Sequence, residues 1–318
     1  MSSSADSAGS EGEVGVDEPL RVICGPTAAG KSAIAMRLAT RYNAAIISAD
    51  SRQLYRGFDV GTAKPTAREQ AAVPHFGLDV ADAAERWSAA RWSVEATAWI
   101  AACRAMGRVP LVAGGTGFYI AALHRPLDAA PSMDPVRREA LHAALHEMPL
   151  DELRRWSAEL DPARAHLGRT QLLRAVETVL LTGRRLSDAH TGRSETSGIR
   201  MRYLVVDPGR DLLRERIAHR TDAMLQAGWV DEVRALAATV PADAAAWKST
   251  GYRHLRDHVD GAMSLAEARE RVVVDTRQYA KRQRTWFRHQ LPLRVTTHIH
   301  PDDTDLDSRL DAWWSGDQ

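Results

Sequence analysis

The sequence predicts an α/β chain: a P-loop core built on a doubly wound parallel sheet, with an all-helical subdomain inserted into it. Three observations predict this. Gly25-Pro26-Thr27-Ala28-Ala29-Gly30-Lys31-Ser32 fits the phosphate-loop pattern of two glycines five apart followed by Lys and a hydroxyl residue. Short apolar runs alternate with helical patterns in both the first and the last thirds of the chain. Between about 132 and 195 the alternation stops and helical patterns alone remain.

In order along the chain, the apolar run Leu20 to Cys24 is a strand that enters the loop, and the stacked pair Ile34 and Leu38 marks the helix that leaves it. Gly25 and Gly30 let successive amides turn inward as an anion nest at a helix N-terminus, with Lys31 reaching a phosphate and Ser32 placed to ligate Mg²⁺. Ala44 to Ser51 reads as a second parallel strand. Its Asp50 is open to three readings: a general base, a metal ligand or a helix cap. The stretch from Arg52 to Pro65 is too polar and too rich in Arg, Lys and Tyr for a plain connection, and reads as a functional loop. A helix follows from Trp87 to Met106, with Trp92, Ala96 and Trp99 as a buried stripe. Val109 to Ala113 is the next strand and runs into Gly114-Gly115-Thr116-Gly117.

The helical block holds Pro135 to Met148, Leu150 to about Leu160 and Thr170 to about Thr182, broken at Pro162, Gly168 and Gly183. From Arg164 to Arg193 it carries six arginines against two acids, a bias that suits either a solvated face or a polyanion footprint. A strand returns at Tyr203 to Asp207. Asp207 reads as a turn acid because Pro208 and Gly209 follow at once. Helices from about Asp211 to Gln226, Val230 to Ala237 and Leu265 to His289 complete the core. On the last of these, Arg277, Lys281, Arg284 and Arg288 share one face, and Val272, Thr276, Ala280, Gln283 and Phe287 line the other. From Arg269 to Arg288 there are seven bases and two acids with aromatics interleaved, a pattern for pyrophosphate or RNA backbone.

At 318 residues with 44% hydrophobic and 26% charged content, the composition is that of a soluble globular protein. The net charge is +1, but the first eighteen residues hold five acids and no base, so any nucleic-acid footprint is local. Residues 1 to 18 read as a disordered leader, lacking the basic and apolar regions of a signal peptide. Two cysteines, Cys24 and Cys103, exclude a disulfide framework and point to a reduced, cytoplasmic setting. No eighteen apolar residues run together, so no membrane span is expected.

Taken together, GPTAAGKS, SADSRQLYRGFDVGTAKPT, LVAGGTGFY, RAVETVLLTGR, QAGWVDEVRAL, KSTGYRHL and TRQYAKRQRTWFR resemble, in this order and spacing, the tRNA dimethylallyltransferases, the tRNA isopentenyltransferases of bacteria and eukaryotes. The likeness covers nearly everything from Leu20 to His289. It implies transfer of a dimethylallyl group from dimethylallyl diphosphate to the exocyclic amine of the adenosine just 3′ of the anticodon, with Mg²⁺, by a monomer.

By the same resemblance Asp50 accepts the proton of the amine, while Thr27 and Arg277 stabilise the bridging oxygen of the leaving diphosphate. Gly25, Pro26, Thr27, Ala28, Ala29, Gly30, Lys31 and Ser32 hold the diphosphate, with Ser32 on the metal. Asp50, Ser51, Arg52, Gln53, Thr116 and the stretch Thr170, Gln171, Leu172, Leu173, Arg174 contact the tRNA, and Lys281 and Arg284 are placed with them as RNA contacts. This sequence departs from the family at Gly168 to Gln171 and at Arg52. Three other readings are weaker: an adenylate isopentenyltransferase leaves the arginine-bearing helices without use, a small-molecule kinase lacks its lid signature, and a regulatory nucleotide-binding module gives Asp50 and Arg277 no joint purpose.

Overall fold

The computed structural model describes residues 18–125, 133–188 and 198–316; the leader through residue 17 and Arg193 lie outside them. The six strands are β1 (Leu20–Cys24), β2 (Ala44–Ser48), β3 (His75–Phe76), β4 (Val109–Gly114), β5 (Met201–Val206) and β6 (Thr296–Ile299). They form one sheet in the order β3-β2-β4-β1-β5-β6, and every pairing is parallel. At its centre Val22 faces Val112 of β4 on one side and Tyr203 of β5 on the other. Alternate residues of β1 are buried on opposite faces, Leu20, Val22 and Cys24 in one core and Ile23 in another. That is the signature of a sheet covered by helices on both sides.

The helices of this α/β unit are α1 (Lys31–Arg41), α2 (Ala67–Ala72), α3 (Ala89–Ala105) and α4 (Gly117–His124) before the insertion. The insertion holds α5 (Pro135–His146), α6 (Leu150–Leu160) and α7 (Arg169–Thr182). After it come α8 (Arg210–Gln226), α9 (Trp229–Thr239), α10 (Tyr252–Val259), α11 (Leu265–Gln290) and α12 (Leu306–Ser315). One face of the sheet packs on Trp92, Ile120, Trp229, Leu255 and Val272, and the other on Ile34, Leu38, Leu310 and Trp313. Of the stripe read on α3, Trp92 and Ala96 are core and Trp99 is half-buried against it; Trp92 stacks on Tyr119 with centroids 4.8 Å apart and donates its indole N–H to the Ser48 carbonyl.

Strand β6 and helix α12 are not foreseen by the sequence reading. Thr296–Ile299 is short and largely polar, and forms because β5 offers it an edge. Helix α11 has a capping box at Ser264 and Glu267, and buries Val272, Ala280, Gln283 and Phe287, as its periodicity requires.

Two compact units result, Met1–His124 with Ile199–Gln318, and Arg125–Gly198. The second is helical and has its own core of Leu145, Leu153, Leu172, Leu173 and Val176. Buried Glu177 is bonded there by Arg138 and His142. Among the described residues no helix is long and apolar enough to cross a membrane.

Candidate active site

The phosphate loop leaves β1 at the carboxyl edge of the sheet, where strand order places ligand crevices. Gly25 has φ 142°, and a Cβ there would lie 2.3 Å from the Val206 carbonyl oxygen of neighbouring β5, so no other residue fits. Ala28 is held at φ 61°, a left-handed conformation that a non-glycine residue adopts at a cost of about 1 kcal/mol or more. The loop is clamped from outside. The Thr27 N–H donates to Gln283 Oε1 at 2.8 Å, and Gln283 Nε2 donates to the Gly115 carbonyl at 2.8 Å, so a buried residue of α11 ties the loop to the end of β4. Lys31 Nζ donates to the Pro26 carbonyl at 2.6 Å, back along its own loop. Burial first, and then the positive charge of Arg220, push its ammonium down to about 8.

Beside the loop lies a cavity of about 80 Å³ lined by Thr27, Asp50, Arg52, Arg220, Thr276 and Tyr279 among others. Asp50 lies two residues beyond β2, and its Oδ1 accepts the Arg52 N–H at 2.8 Å. No helix begins there, so of the three readings the helix cap is excluded. The Ser51 N–H donates to Thr116 Oγ1 at 3.0 Å, which fixes the Asp50 turn against the end of β4. Tyr279 also hydrogen-bonds Thr116, and burial raises its phenol to about 12.

Arg220, on α8, is the residue that sequence reasoning missed. Its guanidinium donates to Thr27 Oγ1 at 3.4 Å. Burial lowers its pKa and the Asp50 charge opposes that shift. It lines both this cavity and a second one, of about 450 Å³, bounded by Lys31, Ser32, Arg216 and His219. A signal existed: Arg220 lies on the side of α8 that carries buried Leu213, Ile217 and Thr221.

Arg277 is a correction. It is exposed and lines neither cavity. The α11 residues that do face the cavity are Thr276 and Tyr279, and one helical step of about 100° past Thr276 turns Arg277 to solvent. Leu172 and Leu173 differ from the expectation as well: their side chains are buried in the core of the helical unit and are not presented to an RNA, whereas Thr170, Gln171 and Arg174 are exposed. Gln53 is spent internally, its Oε1 accepting from Ser48 and its Nε2 donating to the Thr62 and Ala63 carbonyls. Arg284 is paired with Asp207 at 3.0 Å, and Asp207 also accepts the Gly209 N–H, as a turn acid does. Lys281 is exposed, and Arg52 and Asp50 face the cavity.

The model of the IPP transferase family matches residues 53–290, three-quarters of the chain, and that of the isopentenyl transferase family matches 18–78. The chain belongs to the IPP transferase family. Among relatives of this IPP transferase, the tRNA dimethylallyltransferase of Deinococcus radiodurans is 41% identical over 283 residues, covering 86% of this chain and 91% of the relative. The crystal structure of the full-length tRNA isopentenylpyrophosphate transferase of Bacillus halodurans is 32% identical, with a TM-score of 0.64 over 95% of this chain and 99% of that one. The tRNA delta(2)-isopentenylpyrophosphate transferase of Staphylococcus epidermidis is 29% identical, with a TM-score of 0.66 over 94% and 98%. Both structures share its P-loop α/β fold.

Proposed function

We propose that this IPP transferase moves a dimethylallyl group from dimethylallyl diphosphate to the exocyclic N6 amine of the adenosine 3′ to a tRNA anticodon, releasing diphosphate. The observation that carries the reading is the convergence of Thr27, Asp50 and Arg220 on one cavity bordered by Thr27 and Ala28 of the phosphate loop. An adenine amine is a poor nucleophile because its lone pair is delocalised into the ring. A carboxylate that takes its proton as the C–N bond forms removes that handicap, and in this reading Asp50, which lines the cavity, does so. The C1–O bond of the donor breaks as the C–N bond forms, and its electron pair goes to the bridging oxygen of the leaving diphosphate. In this reading Arg220 and the Thr27 hydroxyl it donates to stabilise that developing charge, and the loop amides and Lys31 hold the terminal phosphates.

Mg²⁺ fits as a partner of the diphosphate. Among the described residues no group of three or more His, Cys, Asp or Glu side chains could hold a metal; Ser32, exposed beside Lys31 in the second cavity, would hold the ion together with the diphosphate. Bound there, the ion would neutralise part of the charge on the departing group. The exposed Thr170, Gln171 and Arg174 of the helical unit, with Lys281, Ser51, Arg52 and Thr116 of the α/β unit, are the RNA contacts of this reading. The target base leaves its stack to reach Asp50, which an anticodon loop allows at small cost. Such an enzyme works in the cytoplasm, where its RNA substrate is, and as a single chain.

Labelled dimethylallyl diphosphate incubated with unmodified tRNA or with AMP tests the reading. Label entering tRNA, and lost in Asp50→Asn with tRNA affinity retained, is the expected result. Label entering AMP alone overturns it.

A further inference from the structure

We infer that Trp229 sets the length of the group the cavity accepts and confines this chain to a five-carbon allylic donor; the inference rests on the function proposed above. The wall of the cavity supplied by α8 runs from Ile217 to Met224. Ile217 packs with Ala28 of the phosphate loop, and Met224 packs in the cluster that holds Trp229 and Val272. The two positions are seven residues apart, about 10 Å along the helix. An allylic chain whose diphosphate lies in the loop, and whose bridging oxygen lies at Thr27 and Arg220, therefore extends past Thr221 toward Met224, Val272 and Trp229.

The indole is fixed there. Only 1% of Trp229 is exposed. It is wedged between two glycines: a Cβ on Gly61 would come within 2.1 Å of it, and one on Gly251 within 2.3 Å. Tyr252 meets it edge-on, with centroids 5.4 Å apart. Gly61 comes from the loop after β2 and Gly251 from the start of α10, so two separate segments give up side chains to make room for one ring. A ring so held cannot swing aside for a longer chain. Its Nε1 has no hydrogen-bond partner among the described residues, so the ring is held there by packing. Five further carbons on the donor would have to occupy the volume of the indole. The displacement itself is the same for either donor: C1–O breaks, C1–N forms, the amine proton passes to Asp50 and diphosphate leaves.

The test compares kcat/KM for dimethylallyl and geranyl diphosphate, with unmodified tRNA as acceptor, in the wild type, Trp229→Phe and Trp229→Ala. The wild type should prefer the five-carbon donor by about 100-fold or more. Trp229→Ala should raise the geranyl-to-dimethylallyl ratio by about tenfold or more, with Trp229→Phe between. Equal use of both donors by the wild type overturns the inference. So does an unchanged ratio in an active variant, including one in which only the KM for tRNA moves, which would place the indole against the base. If Trp229→Ala does not fold, as read by thermal melting, the ratio in Trp229→Phe decides. A wild type that transfers neither group overturns the proposed function, and the inference with it; a wild type active with dimethylallyl whose variants keep its ratio overturns the inference alone.

Discussion

Arg220 and Arg277 carry the same chemistry and differ only in which way a helix turns them. Arg220 is drawn between Thr27 and the cavity, and Arg277 faces water. Arg220→Gln should lower kcat about 100-fold, the usual loss for one donor at a developing negative charge, whereas Arg277→Gln should change it by less than about threefold; steady-state kinetics separates the two. The basic face of α11 was legible in the sequence, and so was its burial stripe of Val272, Ala280, Gln283 and Phe287. Arg277 lies opposite that stripe, which already argued against a place in a buried site. What could not be read was that α8 folds back over the loop, because that depends on pairings between residues far apart in the chain.

Lys31 gives a second prediction at this scale. Its ammonium titrates at about 8 in the folded protein, against 10.5 as the ordinary value. Below about pH 8 both folded and unfolded chains keep the proton, and the penalty of burying the charge is present in full. As pH rises from about 8 toward 10.5, the folded protein loses the proton while the unfolded chain retains it, so this group's contribution to stability becomes more favourable. Diphosphate reverses the preference, since an anion favours the charged amine. Binding of inorganic diphosphate should therefore take up a proton and weaken as pH rises through 8. Calorimetry in two buffers of different ionisation enthalpy reads the uptake, and Lys31→Met should remove it.

Among elements, α11 does the most with the least obvious residue. Gln283 reads in the sequence as one polar position in an apolar stripe. In the fold its amide satisfies the Thr27 N–H and the Gly115 carbonyl at once. Gln283→Leu keeps the bulk and strands both groups, at about 1–3 kcal/mol each. A thermal melt should show the loss, together with weaker binding of inorganic diphosphate; Gln283→Glu, which keeps the acceptor for Thr27, should retain more of both. Strands β1, β2, β4 and β5 were legible because a parallel sheet buried on both faces needs unbroken apolar runs. Strands β3 and β6 were not, being short and held by what the neighbouring strand offers.

For the whole molecule, the division into an α/β unit and a helical unit separates two tasks in the proposed function. Leu172 belongs to the helical core and lines neither cavity described above. Leu172→Ala should cost about 2–5 kcal/mol of that unit's stability and weaken tRNA binding, while affinity for inorganic diphosphate stays as in the wild type. Parallel titrations with the two ligands read the contrast. Equal loss of both would mean that the units do not divide the work in this way.

The bond between Thr27 and Gln283 spans 256 positions of the chain. On a ribosome adding about 5–20 residues per second, the loop is made roughly 13–50 s before the residue that clamps it. For the greater part of that interval the central strand also lacks β5, which is translated after the whole helical insertion and before α11. A nascent chain therefore carries the most recognisable stretch of its sequence with no means of holding it in shape. Stalled or prematurely terminated products of this gene should not sequester prenyl donor, because competence to bind it arrives only with α11.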